Sequence, residues 1–428
     1  MKIKKRKIRR IIIVVAVVVI TIISIGYLGL RILQYQLEEK ITGCKIESKD
    51  FYTTIPFEYV NNWIIVKVKV AGSDKEFPFI FDTGAQTVLL DSLLNELNPK
   101  SYQSFSFSNK SENTENAFNN ELISLHQLSM GEINFSDIGA ISAKNSKWGM
   151  LNCISAYGII GYNIIQTFYS QIDYDKKQIV LTDNLEKLPN YEKIQWLDYK
   201  PSIKQETPII KASINDSIQI DLFFDTGNSG GIILNSDMLY DLFLHEDEVK
   251  TLKYYSKSSI KIRGEGDDTK ESIVLKTSIF STGDINMENI NIGIGNVPSR
   301  EFDGFIGNRY LENFIITLDY KSKRIGFIKK QKMIPDNSTF GINYVASQNK
   351  ITISSVFEKS KAYGLGIRCG DTIHSINGIK VSNLKNDDFC KIYRNEYKFQ
   401  TSQDSILTLE ILKDKKLINY VLNKYEKF

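Results

Sequence analysis

The sequence is poor in several residue types, and each scarcity argues against a class of protein. Its 428 residues include only four cysteines and three histidines. Cys44, Cys153, Cys369 and Cys390 do not have the spacing of a zinc site, and so few histidines argue against a histidine-rich metal centre. We therefore expect no metal and no cofactor. Cys369 and Cys390 could pair within one domain, and free or buried thiols are an equally open reading.

The chain also has little excess of one sign of charge over the other. The formal net charge is +4, and seven of the first ten residues are Lys or Arg, so the rest of the chain is close to neutral. This balance argues against nucleic acid as a partner. Proline occurs only eight times, whereas Thr, Ile, Val, Tyr and Phe are frequent, and no long amphipathic helical stripe is present. The composition predicts a mainly β fold, and the length predicts two or three domains.

The longest apolar run lies at the N-terminus. Residues 11 to 30 carry no charge and follow the basic segment 1–10. About 20 such residues span a bilayer as a helix, and positive charge stays on the cytoplasmic side. We expect a transmembrane helix at 11–31 in contact with the lipid bilayer, a stalk at 32–50, and all later domains on the outer or periplasmic side. A cleaved signal peptide is the alternative, but the run is longer than a usual signal and lacks an A-x-A site.

An internal repeat organises the middle of the chain. Asp-Thr-Gly occurs at 82–84 and at 225–227, each time between two apolar runs. Each copy is followed by Gly-x-x-Gly, beginning 76 residues after the first aspartate and 79 after the second. An Asp-Tyr pair then follows 15 residues later in both copies. The repeat predicts two β-rich halves, one at 51–190 and one at 191–330.

The repeated loop has a definite chemistry. Asp-Thr-Gly between apolar strands places a carboxylate on a tight loop, because Gly permits the turn. Two such loops facing each other across a pseudo-twofold axis bring two carboxyls together, and these share one proton. The ionised carboxyl can take a proton from water while the protonated one donates to a carbonyl oxygen. The pattern predicts peptide-bond hydrolysis without a covalent intermediate.

These residues resemble the pepsin-like and retropepsin-like aspartic proteases, over about residues 51 to 330. The family signature is an apolar-apolar-Asp-Thr-Gly loop followed by an apolar-apolar-Gly strand, and it occurs here in both halves. The resemblance implies two β-barrels around a cleft, with a catalytic aspartate and a supporting Thr and Gly in each loop: Asp82, Thr83 and Gly84, then Asp225, Thr226 and Gly227. Ala85 follows the first loop as is usual in the family, whereas Asn228 after the second is unusual.

Other readings of the same segments stay open. Residues 227–231 also match the G-x-S-x-G serine loop of trypsin-like proteases, which would make Ser229 a nucleophile with His126 as the only upstream histidine. That reading leaves the repeat unexplained. A non-catalytic, membrane-held peptide-binding adaptor is a further alternative. The flap over the cleft has candidates at 101–120 and 264–266, which plain loops would equally explain.

The last part of the chain, residues 338–428, resembles a PDZ domain of the kind found in bacterial proteases. The resemblance rests on four runs: Phe340-Gly341-Ile342, Ala362-Tyr363-Gly364-Leu365, Gly370-Asp371-Thr372-Ile373 and Ile376-Asn377-Gly378. It implies a small α+β domain whose first run is the carboxylate-binding loop. Such a domain adds an extended peptide to a sheet edge and holds its terminal carboxylate by backbone N–H groups. We therefore expect protein substrates and peptide C-termini as partners, or else a packing domain whose groove is filled by its own chain.

Overall fold

The computed structural model describes residues 24, 26–29, 31, 43–71, 73–105, 121–203, 205–238, 249–256, 270–295, 297, 299–330, 338–347, 349–399 and 404–427. On this part of the chain, no helix has the length and apolarity that a membrane crossing requires. Most of the predicted transmembrane helix at 11–31 lies outside the described residues. The predicted segment 1–10 and most of the predicted stalk lie outside them as well.

The described chain is mainly β. The strands of the first half are β1 (Lys45–Ile46), β2 (Tyr52–Val60), β3 (Trp63–Val70), β4 (Glu76–Phe81), β5 (Val88–Leu90), β6 (Tyr102–Phe105), β7 (Leu122–Met130), β8 (Ile133–Ala143), β9 (Gly158–Ile160), β10 (Tyr169–Asp173) and β11 (Gln178–Thr182). Those of the second half are β12 (Gln195–Pro201), β13 (Pro208–Ile214), β14 (Ile218–Phe224), β15 (Ile232–Asn235), β16 (Val249–Ser256), β17 (Lys270–Thr282), β18 (Ile285–Gly295), β19 (Gly304–Ile306), β20 (Phe314–Asp319) and β21 (Arg324–Lys329).

The C-terminal strands are β22 (Ser338–Thr339), β23 (Ile342–Ser347), β24 (Lys350–Phe357), β25 (Thr372–Ile376), β26 (Ile379–Lys380), β27 (Ile406–Lys413), β28 (Lys416–Asn423) and β29 (Tyr425–Glu426). The α-helices are short: α1 (Asp91–Glu96), α2 (Tyr162–Ile165), α3 (Asn308–Leu311), α4 (Lys361–Gly364) and α5 (Asn386–Tyr393). A 3-10 helix at Gly149–Ile154 contacts α5.

Strand β3 illustrates why these segments form sheets. Its sequence WIIVKVKV buries Val66, Val68 and Val70 and exposes Lys67 and Lys69. Side chains of a strand alternate between its two faces, so this spacing places the valines in the core. Burying each such side chain contributes about 1.5–3 kcal/mol. One continuous apolar core runs through both halves.

The two halves repeat one arrangement of strands. In the first, β9 lies parallel to β4 and antiparallel to β5, and β5 lies parallel to β8. In the second, β19 lies parallel to β14 and antiparallel to β15, and β15 lies parallel to β18. The halves join where β10 pairs antiparallel with β20. The loops that follow β4 and β14 therefore face each other at equivalent positions, as the internal repeat predicts.

The folded first half begins before the predicted boundary at residue 51. Strand β1, within the predicted stalk, pairs with β8 through Lys45 and Ser136. Cys44 is half-buried, and burial raises the pKa of its thiol to about 12. The final residues of the stalk are therefore part of the folded body.

The C-terminal strands enclose a separate apolar core. Strands β23, β24, β25, β27 and β28 form successive antiparallel pairs, and α5 buries Phe389 and Ile392 against them. This region contacts both halves. Strand β24 pairs with β16 of the second half, and Tyr393 of α5 packs on an apolar cluster of the first half.

A disulfide bond also joins the C-terminal region to the first half. It links Cys153, in the 3-10 helix at Gly149–Ile154, to Cys390 of α5. The pairing of Cys369 with Cys390 that the sequence left open is therefore wrong. The partner of Cys390 lies 237 residues away in the chain, and only the docking of α5 on the first half brings the two cysteines together.

Candidate active site

Two parallel strand pairs position the aspartates. The apolar strands β4 and β14 end immediately before Asp82 and Asp225. The N–H of Asp82 donates to the carbonyl of Ile160 in β9, and that of Asp225 donates to Ile306 in β19, at 3.0 Å each. Each aspartate thus leaves its sheet at the same point, so the two loops meet at the boundary between the halves.

The threonines of the two loops interlock. The N–H of Thr83 donates to Oγ1 of Thr226, and the N–H of Thr226 donates to Oγ1 of Thr83, at 3.0 Å each. Each hydroxyl also donates across the boundary at 3.0 Å, Thr83 to the carbonyl of Phe224 and Thr226 to that of Phe81. Both threonines are fully buried. Reciprocal bonds of this kind fix the two loops relative to each other, since breaking one leaves a buried polar group unpaired.

The glycines of the loops hold the carboxyl groups. The N–H of Gly84 donates to Oδ1 of Asp82 at 2.7 Å, and the N–H of Gly227 donates to Oδ1 of Asp225 at 2.8 Å. A further hydrogen bond joins the two carboxyl groups to each other. The structure therefore brings the two sequence-predicted aspartates together in one site.

Burial controls the protonation of this pair. Asp82 is only 8% exposed, and burial raises its pKa to about 6 even though the N–H groups of Gly84 and Ala85 lower it. Burial also raises the pKa of Asp225 well above its ordinary value, and the nearby charge of Asp82 raises it further. Two carboxyls this close titrate as a unit. Between its two apparent pKa values the pair therefore holds one proton that both carboxyls share.

Two buried residues that the sequence analysis missed support the loops from behind. The hydroxyl of Thr207 donates to the carbonyl of Thr83 at 2.9 Å. The amide of Asn308 donates to the carbonyl of Thr226 at 2.6 Å. Asn308 directly follows the second Gly-x-x-Gly, and this position is the only sequence signal that could have indicated it.

Within the described part of the chain, Ser229 has no histidine partner of the kind that a serine nucleophile needs. Among the described residues its hydroxyl makes no hydrogen bond to a histidine, and His126 lies exposed on β7. Asn228 uses its side-chain carbonyl to accept the N–H of Gly230 at 2.8 Å. Such a bond is typical of a turn that follows an Asn. The segment after Gly227 is therefore a structured polar turn.

The candidate flaps are two hairpins. Strands β6 and β7 pair in the first half, and β16 and β17 pair at the equivalent place in the second. Most of the predicted stretch 101–120, and all of 264–266, lies outside the described residues. On the described ranges, no group of three or more His, Cys, Asp or Glu is arranged to hold a metal ion.

The predicted carboxylate-binding loop connects β22 to β23. All three residues of this loop are buried, and Phe340 and Ile342 place their side chains in the C-terminal core. Gly341 has φ +83°, and its N–H donates to the hydroxyl of Thr339 at 3.0 Å. A left-handed φ of this size favours glycine.

Comparisons with known proteins agree with part of this description. Residues 330–411 match the family model of the PDZ domain, so the chain contains this domain. No curated protein sequence matches the chain. Among solved structures, soybean basic 7S globulin is similar at TM-score 0.41 and 11% identity, over 65% of this chain and 95% of that one. An aspartic proteinase from Irpex lacteus is similar at TM-score 0.40 and 12% identity, over 66% and 98%. Similarities this weak do not support an argument about activity.

Proposed function

We propose that the chain is an aspartic endopeptidase that a single N-terminal helix anchors in a membrane. One observation carries this proposal. The carboxyls of Asp82 and Asp225 share a hydrogen bond at the junction of two matching β halves, and each carboxyl lies against the glycine of the opposite loop. Pairs of titratable groups with unequal pKa values are typical of acid–base catalysis.

The two carboxyls have different roles in the proposed reaction. Asp82 is the better base because the N–H groups of Gly84 and Ala85 stabilise its charged form. It takes a proton from a water molecule, whose oxygen then attacks the peptide carbonyl carbon. Asp225 donates its proton to the carbonyl oxygen, which yields a neutral tetrahedral intermediate. Asp82 then gives its proton to the leaving nitrogen while Asp225 takes a proton from one hydroxyl of the intermediate. The C–N bond breaks, the acid and the amine are released, and Asp225 again carries the shared proton.

Hydrolysis of denatured casein by the purified full chain tests this proposal. Asp82→Asn and Asp225→Asn should each lower the rate by at least about 100-fold, whereas Ser229→Ala should keep it. Activity retained in Asp82→Asn but lost in Ser229→Ala would favour the serine mechanism. An inactive wild-type protein that still binds peptides would favour the non-catalytic adaptor.

The membrane anchor rests on the sequence. The basic segment 1–10 and the uncharged run at 11–30 orient the following domains outward. Protease added to intact spheroplasts should digest the C-terminal domains. Protection until lysis would contradict this topology.

In the proposed function the PDZ domain also has a role. It would dock the C-termini of protein substrates through the backbone of the loop at Phe340, Gly341 and Ile342. Its attachments to both halves, through the disulfide and through strand β16, hold it beside the catalytic body. Docking there would raise the local concentration of a substrate near the cleft.

A further inference from the structure

The turn between β2 and β3 consists of two asparagines. Asn61 has φ 48° and Asn62 has φ 63°, and Val60 pairs with Trp63 across them. Two consecutive left-handed residues form the tight hairpin turn that asparagine and glycine favour. Glycine can therefore replace either residue and keep the backbone of the turn.

Asn62 reaches from the first half into the second catalytic loop. Its side-chain amide donates to the carbonyl of Ser229 at 3.0 Å, and its own carbonyl accepts from the amide of Asn308 at 2.8 Å. The amide of Asn308 also donates to the carbonyl of Thr226 at 2.6 Å. The hydroxyl of Tyr174 donates to Oδ1 of Asn308 at 2.8 Å. Asn62 therefore contacts the second loop directly at Ser229 and is linked to Thr226 through Asn308.

Asn61 contacts the PDZ domain on the opposite side of the turn. Its side-chain oxygen accepts from the amide of Asn395, directly after α5, at 3.1 Å. The neighbouring Arg394 donates to the carbonyl of Cys153 at 3.0 Å, and Cys153 is bonded to Cys390. These contacts fix the end of α5 against the turn.

We propose that the Asn61–Asn62 turn positions the second catalytic loop and couples it to the PDZ domain. The proposal rests on the proposed proteolytic function. Asn62 is a positioning residue, because it acts on the geometry of Asp225 through the backbone of the loop. Asn61 links the position of α5 to the contact that Asn62 makes with the loop of Asp225. The PDZ domain thus affects turnover in addition to docking substrates.

Glycine substitutions separate these contacts from the turn itself. Asn62→Gly removes the amide that holds Ser229 and should lower kcat about tenfold, with KM changed less than about twofold. Asn61→Gly and Asn395→Ala each remove the hydrogen bond between these two side chains and should lower kcat about two- to fivefold. Asn349→Gly is the matched control, since Asn349 is an exposed residue with φ 65° in the turn between β23 and β24.

The double variant tests the coupling. Asn61→Gly also removes a hydrogen bond with Tyr393 of α5. If Asn395 acts through Asn61, Asn61→Gly combined with Asn395→Ala should therefore lower kcat no more than Asn61→Gly alone. Fully additive effects would overturn the coupling to the PDZ domain. A value of kcat for Asn62→Gly equal to that of Asn349→Gly would overturn the positioning role.

Hydrogen exchange provides a readout that does not need activity. The amides of Gly227, Asn228 and Gly230 are all hydrogen-bonded within the loop, and they should exchange at least about fivefold faster in Asn62→Gly than in Asn349→Gly. An inactive wild-type protein would refute the proposed function, while unchanged exchange in Asn62→Gly would refute this inference.

Discussion

Gly227 of the second loop lies directly against the carboxyl group of Asp82 in the first. A Cβ atom built on Gly227 would overlap that carboxyl, and one built on Gly84 would lie 2.5 Å from Oδ1 of Asp225. Real Cβ atoms do not approach other atoms this closely. The carboxyl group of each aspartate therefore occupies space that is open only because the residue facing it in the opposite loop is glycine.

Gly227→Ala should abolish hydrolysis for this reason. The added methyl group must displace the carboxyl of Asp82, and a displacement of about 1 Å at a catalytic group can cost about 100-fold in rate. Gly231→Ala is the control, because its Cβ would meet no atom within 4 Å. Comparison of kcat/KM and Tm for both variants checks the prediction. Full activity in Gly227→Ala would show that the two loops can separate.

The sequence alone was sufficient to predict the repeated parts of the fold. Asp-Thr-Gly and Gly-x-x-Gly recur at matched spacing because each is required by backbone geometry, and backbone requirements restrict residue type strongly. The structure places the two loops face to face, as the pattern predicts, with Thr83 and Thr226 interlocked. The PDZ domain was recognisable for a similar reason, since its glycine-containing turns are local.

Contacts between distant segments were not predictable. Cys153 and Cys390 are paired only because α5 docks on the first half, and nothing near either cysteine indicates this. The role of Asn308 depends equally on the packing of the halves. The Asn61–Asn62 pair was readable as a hairpin turn, but its contacts on two sides follow from tertiary structure alone.

The pH dependence of activity should reflect the raised pKa values. The proposed reaction needs Asp82 ionised and Asp225 protonated, and burial raises the pKa of Asp82 to about 6. The rate should fall as the pH drops below about 6 and persist toward neutrality, because the pKa of Asp225 is higher still. Ala85→Ser adds a donor that favours the charged form of Asp82, so its acid limb should move to lower pH. A profile of kcat/KM that is the same for both proteins would contradict this.

Asp225 should also make stability depend on pH. Its folded pKa lies well above the ordinary value of 3.8, so its contribution to stability is fully present below about pH 4 and is lost as the pH rises toward the folded pKa. Asp225→Asn stays neutral at every pH. The difference in free energy of unfolding, Asp225→Asn minus wild type, should therefore increase from pH 4 to 7 by at most about 1.4 kcal/mol per pH unit. Urea unfolding measures this, with the exposed Asp198→Asn as control. A difference that does not vary with pH would exclude a raised pKa.

The disulfide should stabilise the attachment of the PDZ domain. It closes a loop of 237 residues, and removal of such a crosslink typically costs about 2–4 kcal/mol. Cys153→Ser should lower Tm, and a reductant should lower the wild-type Tm to the same value without further effect on the variant. Cys44→Ser keeps the disulfide, so its Tm should still respond to the reductant. A wild-type Tm that is insensitive to complete reduction would contradict the prediction.

Peptide docking should depend on the backbone of the loop at Gly341. A Cβ there would lie 2.5 Å from Cβ of Ser360, and φ +83° is unfavourable for any other residue. Gly341→Ala should therefore distort the loop and weaken binding of a labelled peptide with a free C-terminus and an apolar last residue by at least about tenfold. Gly364→Ala in α4 is the control, because its Cβ would meet no atom within 4 Å. Fluorescence anisotropy with the full chain measures both variants, and an amidated peptide should bind the wild type at least about tenfold more weakly. Equal affinity for the free and amidated peptides would refute carboxylate capture, because the backbone N–H groups would then be recognising something other than the terminal charge.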